Sequence, residues 1–311
     1  MHGKHVLVTG GFGNLGSYIV KHLLNQEYTV TILTRKQKKT FKNYEYNVIE
    51  CDITDLKALK SKLKYDFDYC IHCASFNESF EKNYAKKSLD INSVGTRNLL
   101  EALNISKLRN FIYFSTFHVY GLTEGIIDED TELNPKTDYA LTHLFAEFFL
   151  KQYGHINNLN FTILRLTNSY GVPTFKNTNK WYLVLNDFVK MSFKNQEIVM
   201  NSNGKSKRDM ICMRDVASIV LKIVKEKATN EIYNLSANRS YSVIEIAKKV
   251  QRIYHKRYKK NIKIKVNKND SRVSEILSVK NNKLKSLINF EINDAIDDEI
   301  KKIFSLLENS E

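Results

Sequence analysis

The sequence predicts an α/β chain, with a doubly wound parallel sheet in its first 170 residues and a smaller C-terminal lobe. Three observations carry this. Short, almost wholly apolar segments alternate with amphipathic ones as far as Leu166; a glycine-rich turn joins the first strand to the first helix; and beyond residue 170 the alternation loosens. Apolar strands separated by helices make a parallel sheet covered on both faces, and the right-handed crossover rule then winds it both ways.

In chain order, His5–Thr9 reads as an apolar strand, residues 14–25 as an amphipathic helix and residues 29–33 as a second strand. Residues 47–50 and 69–72 follow as strands, with helical residues 56–63 between them. Residues 91–103 are a helix, 110–115 a fifth strand, 139–152 a long helix and 160–166 another strand. Past residue 170, helices at 181–191, 216–225 and 243–254 are separated by short strands at 197–200 and 232–235. No Pro/Gly-rich linker, repeat or low-complexity tail interrupts the 311 residues, so the second half reads as a lobe that does not fold independently.

Composition narrows the classes. A hydrophobic share of 42% excludes a mainly disordered chain, and no apolar run reaches the length of a membrane span. MHGKHVLVTGG passes straight into strand and turn, which leaves no room for a signal peptide. Cys70 and Cys73 form a lone CxxC inside the apolar stretch YCIHCA, where a core role outweighs a metal or redox one; Cys51 and Cys212 are isolated. A reducing cytoplasm suits this usage. The net charge of +14 gathers at residues 35–42 and 255–268. Nucleic-acid binding is one reading. The other is a solvated surface that attracts an anionic substrate, and the alternation of Ile262, Ile264 and Val266 supports it.

The chemistry begins at Thr9-Gly10-Gly11-Phe12-Gly13-Asn14-Leu15-Gly16. Glycines at positions 10, 13 and 16, between a strand and a helix, form a Rossmann-type dinucleotide turn. They permit the sharp bend, the approach of a pyrophosphate and close helix–strand packing, and the free amides of the helix then bind the phosphates. The second strand ends in Leu33-Thr34-Arg35-Lys36, with no acidic residue to take ribose hydroxyls. Thr34 and Arg35 suit a 2′-phosphate, which favours NADP(H) and leaves NAD(H) possible; Arg35 can also stack on adenine or face water. Asp52, with Ile53 beside it, is placed to accept from the adenine amino group. Ala74 and Ser75 follow the fourth strand, where the chain passes the ribose and phosphates.

Further on come Phe114-Ser115-Thr116-Phe117-His118-Val119-Tyr120-Gly121 and Asp138-Tyr139-Ala140-Leu141-Thr142-His143. With the glycine turn, these resemble the extended short-chain dehydrogenase/reductase family, which includes nucleotide-sugar epimerases, dehydratases and 4-keto reductases. Residues 164–171 resemble its LRxxNxYGP segment, residues 208–217 its RDFIxVxDVA segment and residues 232–235 its xYNxG strand, so the likeness spans nearly the whole chain.

The resemblance implies that Tyr139 exchanges a proton with the sugar oxygen while hydride moves to or from nicotinamide, and that Thr116 orients that oxygen. His143 departs from the family's YxxxK, whose lysine bonds the nicotinamide ribose and lowers the tyrosine pKa by its charge. Three outcomes stay open: a protonated His143, another cation in the lysine's place, or weak or no redox turnover. The Asp-Glu pair of the dehydratase branch is replaced by Phe117 and His118, which removes the acid and base of elimination. His118 is then a spare proton donor toward the sugar or a structural histidine. Asn168, Arg208 and Arg272 are implied as ligands of the nucleotide diphosphate bound between the family's lobes, and Trp181 and Tyr182 either stack on the ligand or pack in the core.

These implications divide the chain into a dinucleotide-binding domain, 1–170, and a mainly substrate-binding lobe, 171–311. The leading expectation is an NADP(H)-dependent 4-keto-sugar reductase acting on a nucleotide-linked sugar. The alternatives are an NAD-dependent C4-epimerase and, in view of His143, a non-catalytic dinucleotide sensor. No metal, nucleic acid or membrane partner is expected. The helices at 91–103 and 139–152 match those of the family's dimer bundle, which implies a homodimer.

Overall fold

The computed structural model describes residues 4–309 apart from 38, 78–80, 176, 178–179, 227–228 and 274–275. Lys38, within the basic run at 35–42, lies outside the described residues. The described chain divides into two compact units: one of residues up to 121, 129–166 and 217–235, the other of 122–128, 167–216 and 236 onward.

The first unit holds a seven-stranded parallel sheet in the order Glu231–Leu235, Phe161–Leu166, Asn110–Thr116, Tyr69–His72, His5–Thr9, Thr29–Thr34, Asn47–Glu50. The expected α/β fold with a doubly wound sheet is therefore present. Residues 69–72 and 110–116 are buried throughout, as befits strands covered on both faces. One strand belongs elsewhere than expected: Glu231–Leu235 is the edge of this sheet and pairs with Phe161–Leu166, and is not part of the later lobe. Three apolar residues in five suit a sheet of either unit, so the pattern alone does not assign it.

The helix expected from residue 91 starts earlier. It runs as Tyr84–Ser88, a π-helical turn Leu89–Val94 and Gly95–Ala102. The long helix Asp138–Asn157 is capped by the Thr137 hydroxyl, which accepts from the Ala140 amide. One apolar cluster unites the sheet with its helices through Leu7, Leu99, Leu100, Phe111, Leu150 and Ile163.

A buried polar network ties the long helix to the sheet. Glu147 and Arg165 are 0% and 2% exposed. Arg165 donates from Nε to Glu147 Oε1 at 3.1 Å and from Nη2 to Oε2 at 2.7 Å, and the Ser115 hydroxyl donates to the same carboxylate at 2.5 Å. Arg165 also donates to Tyr120 Oη, which itself donates to Asn234 Oδ1. Burial pushes the Tyr120 phenol up to about 12, so it stays a donor.

The second unit holds a three-stranded sheet, Ser240–Ser242, Lys207–Cys212 and Asn168–Tyr170. Helices Val184–Asn195, Val243–Tyr258 and Ile296–Glu308 close its own core around Phe188, Ile246 and Phe304. Trp181 packs against this core. In the lysine-rich stretch, Lys263–Lys265 forms a strand parallel to Glu197–Val199, with Ile264 half-buried between exposed lysines, as the alternation predicts. Among the described residues no helix is long and apolar enough to cross a membrane.

Glu147→Gln leaves Arg165 charged and buried without its counter-ion, so it should destabilise by about 3–5 kcal/mol. Pairing it with Arg165→Met should recover most of that loss. Urea unfolding of the wild type and both variants measures both, and equal loss in the single and double variants would contradict the account.

Candidate functional site

The strand order reverses at His5–Thr9, whose neighbours are Thr29–Thr34 on one side and Tyr69–His72 on the other. In an open parallel sheet a crevice forms at the carboxyl ends of strands flanking such a switch point. The glycine turn occupies that place. Gly10 has φ +65°, and a Cβ there would meet the Ala74 backbone at 2.9 Å; a Cβ on Gly16 would stand 2.3 Å from the Gly10 carbonyl oxygen. Glycine is thus required at both positions by backbone packing. The Gly13 amide donates to Gly10 O at 2.8 Å and Gly13 caps the helix Asn14–Leu24, whose first turn, containing Leu15, has no acidic residue. Asn14 Oδ1 is buried and, among the described residues, has no hydrogen-bond partner. These residues fit a dinucleotide, with an amide-rich helix end for phosphate oxygens and an orphaned acceptor for a hydroxyl.

At the end of the second strand, Thr34 Oγ1 donates to the Lys36 carbonyl at 3.4 Å, and Arg35 is exposed. Sequence reasoning missed a third group here. Lys39 Nζ donates to the carbonyl of Phe12, in the glycine turn, at 3.3 Å, and partial burial lowers its pKa. Phe12 stacks on Phe41, centroids 5.6 Å apart, and meets Tyr46 edge-on, which folds this basic segment back over the turn. Asp52 Oδ1 accepts from both the amide and the hydroxyl of Thr54 at 2.9 Å. Ile53 is buried against Gly95, and its carbonyl accepts from Asn98, so its side chain belongs to the core. Cys70 is fully buried in its strand, which pushes its thiol well up.

The segment after the fourth strand is held on both sides. Thr9 Oγ1 accepts from the Cys73 and Ala74 amides at 3.2 and 3.1 Å, and meets His72 Nδ1 at 2.5 Å. His72 Nε2 meets Thr96 Oγ1 at 2.9 Å, and Thr96 donates to the Asn92 carbonyl. Thr96 therefore accepts from His72, whose proton sits on Nε2. The Asn92 side chain accepts from the Phe76 amide and donates to the Phe76 carbonyl and to Thr142 Oγ1. Asn92 lies in the π-helical turn, so one irregularity braces both the Ser75 segment and the long helix.

The expected reacting groups gather at the same end of the sheet. Thr116 ends its strand, 3% exposed, and its hydroxyl accepts from the His118 amide at 3.2 Å. The exposed His118 ring meets Tyr139 edge-on at 6.3 Å, and Tyr139 meets His143 at 4.6 Å. His143 is 2% exposed. Its Nδ1 lies 2.7 Å from Tyr113 Oη and its Nε2 3.1 Å from Ser75 Oγ. Burial first, then the nearby His72 and His118, bring its pKa down to about 3. The protonated His143 left open by the sequence is therefore not the species present at neutral pH, because a buried imidazole beside two other histidines loses its proton. Both ring nitrogens are also engaged, which takes His143 out of position to bond a ribose directly.

In the second unit, Asn168 Nδ2 donates to the Asp209 carbonyl at 3.1 Å. Arg208, half-buried, donates to the Lys207 carbonyl; burial and the nearby Arg272 charge lower its pKa, so the two arginines stand within electrostatic reach. Arg272 is exposed and already paired in two-point fashion with Asp270, at 2.7 and 3.2 Å. Asp209, between these ligand candidates, is fully buried and accepts from Thr167 Oγ1 and the Ala237 and Arg239 amides. Burial raises it to about 6.

Known proteins resemble the chain over most of its length. The model of the NAD dependent epimerase/dehydratase family matches residues 6–236. A Methanocaldococcus jannaschii protein named "Putative UDP-glucose 4-epimerase" is 31% identical over 248 residues, 78% of this chain and 79% of its own. Human dTDP-D-glucose 4,6-dehydratase is 28% identical over 266 residues, 79% and 73% of the two chains. Two solved structures share the fold: UDP-N-acetylglucosamine 4-epimerase of Methanobrevibacter ruminantium M1, with TM-score 0.83 and 21% identity over all of both chains, and UDP-glucuronic acid 4-epimerase of Bacillus cereus, solved with NAD, with TM-score 0.82 and 20% identity over 99% and 100%.

His72 and His143 both have folded-state pKa values of about 3 against an ordinary 6.5. Below pH 6.5 the unfolded chain binds two protons that the folded chain refuses, so this stability is complete above pH 6.5 and is lost on acidification. Asp209 acts in the opposite sense between about 6 and 3.8. His143→Gln should therefore remove about one proton, roughly 1.4 kcal/mol per pH unit, from the slope of stability between pH 6 and 4. Urea midpoints at stepped pH measure it, and an unchanged slope would show that His143 titrates normally.

Proposed function

The chain belongs to the NAD dependent epimerase/dehydratase family, and on that premise we propose that it is an NADP(H)-dependent oxidoreductase that reduces the ketone of a nucleotide-linked 4-keto sugar. One observation carries the reading. His118 bonds the Thr116 hydroxyl through its amide and meets Tyr139 edge-on through its ring, at the carboxyl end of the sheet that also carries the glycine turn, which supports a joint role for the two.

A nicotinamide cofactor, when bound, supplies or accepts the hydride. Tyr139 gives its phenolic proton to the sugar oxygen in the reductive direction and takes it back in the oxidative one. The Thr116 hydroxyl, fixed at its strand end, orients that oxygen. Gly10, Gly13, Gly16 and the amides from Asn14 onward hold the pyrophosphate, with Asp52 toward the adenine amino group and Ala74 along the ribose and phosphates. Elimination of water is not supported, because the positions after Thr116 hold Phe117 and His118 and no carboxylate pair. Arg208 and Arg272, with Asn168, supply charge and hydrogen bonds for a substrate diphosphate.

The preference for NADP(H) rests on three groups near the end of the second strand. Thr34 and Arg35 stand where a carboxylate would repel a 2′-phosphate, and Lys39 is drawn back onto the glycine turn. The second reading is an NAD-dependent C4-epimerase, favoured by the names of the relatives. The purified protein should carry no stoichiometric NAD in the supernatant after denaturation, and should oxidise added NADPH faster than NADH. Tyr139→Phe should cut kcat at least about a hundredfold and leave cofactor Kd within about twofold. Retained NAD with turnover needing none added would establish the epimerase instead. Cofactor binding with no turnover of any keto-sugar would establish a sensor.

We propose further that the partner is a second copy of this chain. Leu141, Phe145 and Phe148 lie on one face of the helix Asp138–Asn157 and are 37, 38 and 51% exposed, while Ala140, Leu144, Glu147 and Leu150 are buried on the other. Leu89 and Val94, on the helix braced against it, are 42 and 40% exposed. A helix apolar on both faces needs two covers. Sedimentation of the wild type should give a dimer, and Phe148→Glu a monomer that still binds cofactor; a monomeric wild type would refute it.

A further inference from the structure

The geometry points to a hydrogen-bonded chain, Tyr113–His143–Ser75, that aims the Ser75 hydroxyl at the nicotinamide-side ribose, with His143 a positioning residue and Ser75 the ligand. This rests on the cofactor reading above and assigns, within it, the work that an ionised side chain at position 143 would otherwise do.

The direction of each bond follows from burial. Tyr113 is 1% exposed, and among the described residues its hydroxyl has one hydrogen-bond partner, His143 Nδ1 at 2.7 Å. A buried phenol proton with no acceptor is costly, so Tyr113 donates and Nδ1 accepts. A neutral imidazole that accepts at Nδ1 carries its proton on Nε2, and Nε2–H then donates to Ser75 Oγ at 3.1 Å. The Ser75 proton is thereby turned away from His143 and toward solvent, since Ser75 is exposed. An imidazolium would reverse the Tyr113 bond; the burial that keeps His143 neutral preserves the order.

The backbone on both sides of Ser75 is held as well. Cys73 and Ala74 are bonded to Thr9 Oγ1, and Phe76 is bonded through its amide and its carbonyl to Asn92. Little remains for the hydroxyl but to present its proton at the crevice of the switch point, and a donor ordered in advance loses little freedom on binding. The ribose on the nicotinamide side is favoured because His143, which holds Ser75, is in ring contact with Tyr139, the group that meets the reacting end of the cofactor.

Nitrogen-15 NMR of the ligand-free protein at pH 7 should show His143 as the Nε2–H tautomer. By fluorescence titration, Ser75→Ala should weaken binding of whichever reduced dinucleotide the wild type takes by about three- to tenfold. Binding of ADP, which lacks the nicotinamide half, should be unchanged. Ser75→Thr should restore the affinity. Tyr113→Phe should weaken it like Ser75→Ala and mix the His143 tautomers. An Nδ1–H tautomer or an imidazolium in the wild type overturns the inference, as does unchanged dinucleotide affinity in Ser75→Ala. Equal weakening toward ADP overturns the assignment to the ribose. A wild type that binds neither NADPH nor NADH refutes the cofactor reading itself, whatever the tautomer.

Discussion

The site depends on the register between one strand and one helix. Tyr113 and Ser115 alternate along Asn110–Thr116, and His143 and Glu147 are one turn apart on Asp138–Asn157. Tyr113 meets His143, and Ser115 meets Glu147. A strand period of two is thus matched to a helix period near four, and Arg165 on the adjacent strand closes the lower contact with a buried ion pair. A slip of one residue on the strand would break every one of these bonds. Thr116 at the strand end and Tyr139 at the helix start inherit their places from this match.

The same principle orders the cofactor side. Thr9 and His72 are direct neighbours across two parallel strands, and their side-chain bond holds the turn that carries Ser75. Buried polar groups of this kind stabilise only when every partner is satisfied. Here the threonine hydroxyl serves two amides and an imidazole, and the imidazole serves two threonines. The outcome is a defined course for Cys73 to Phe76 at the switch point of the sheet.

Histidine in place of lysine changes what position 143 can contribute. A lysine acts by its charge, which reaches several ångströms without a defined angle. A neutral histidine acts only through directed hydrogen bonds, and its influence is limited to the atoms it touches. The structure uses it accordingly, between a phenol and a serine. A positive charge beside Tyr139 is thus not supplied from this position, while a directed bond to the Ser75 hydroxyl is.

Much was determined by the sequence itself. Apolar runs spaced by amphipathic ones specify a covered parallel sheet, and glycine at positions 10, 13 and 16 specifies a turn that only a residue without Cβ can make. The end of the second strand, the Thr116 and Tyr139 pair and the absence of carboxylates at 117 and 118 are likewise local statements. Tertiary structure decided the rest, since it depends on residues far apart in the chain. Lys39 reaches the glycine turn where Phe12, Phe41 and Tyr46, far apart in the chain, pack together. Glu231–Leu235 joins the main sheet because of its partner, not its composition. The protonation of His143 is set by burial against Tyr113, 30 residues away in sequence, and desolvation is a property of surroundings that no spacing of residues records.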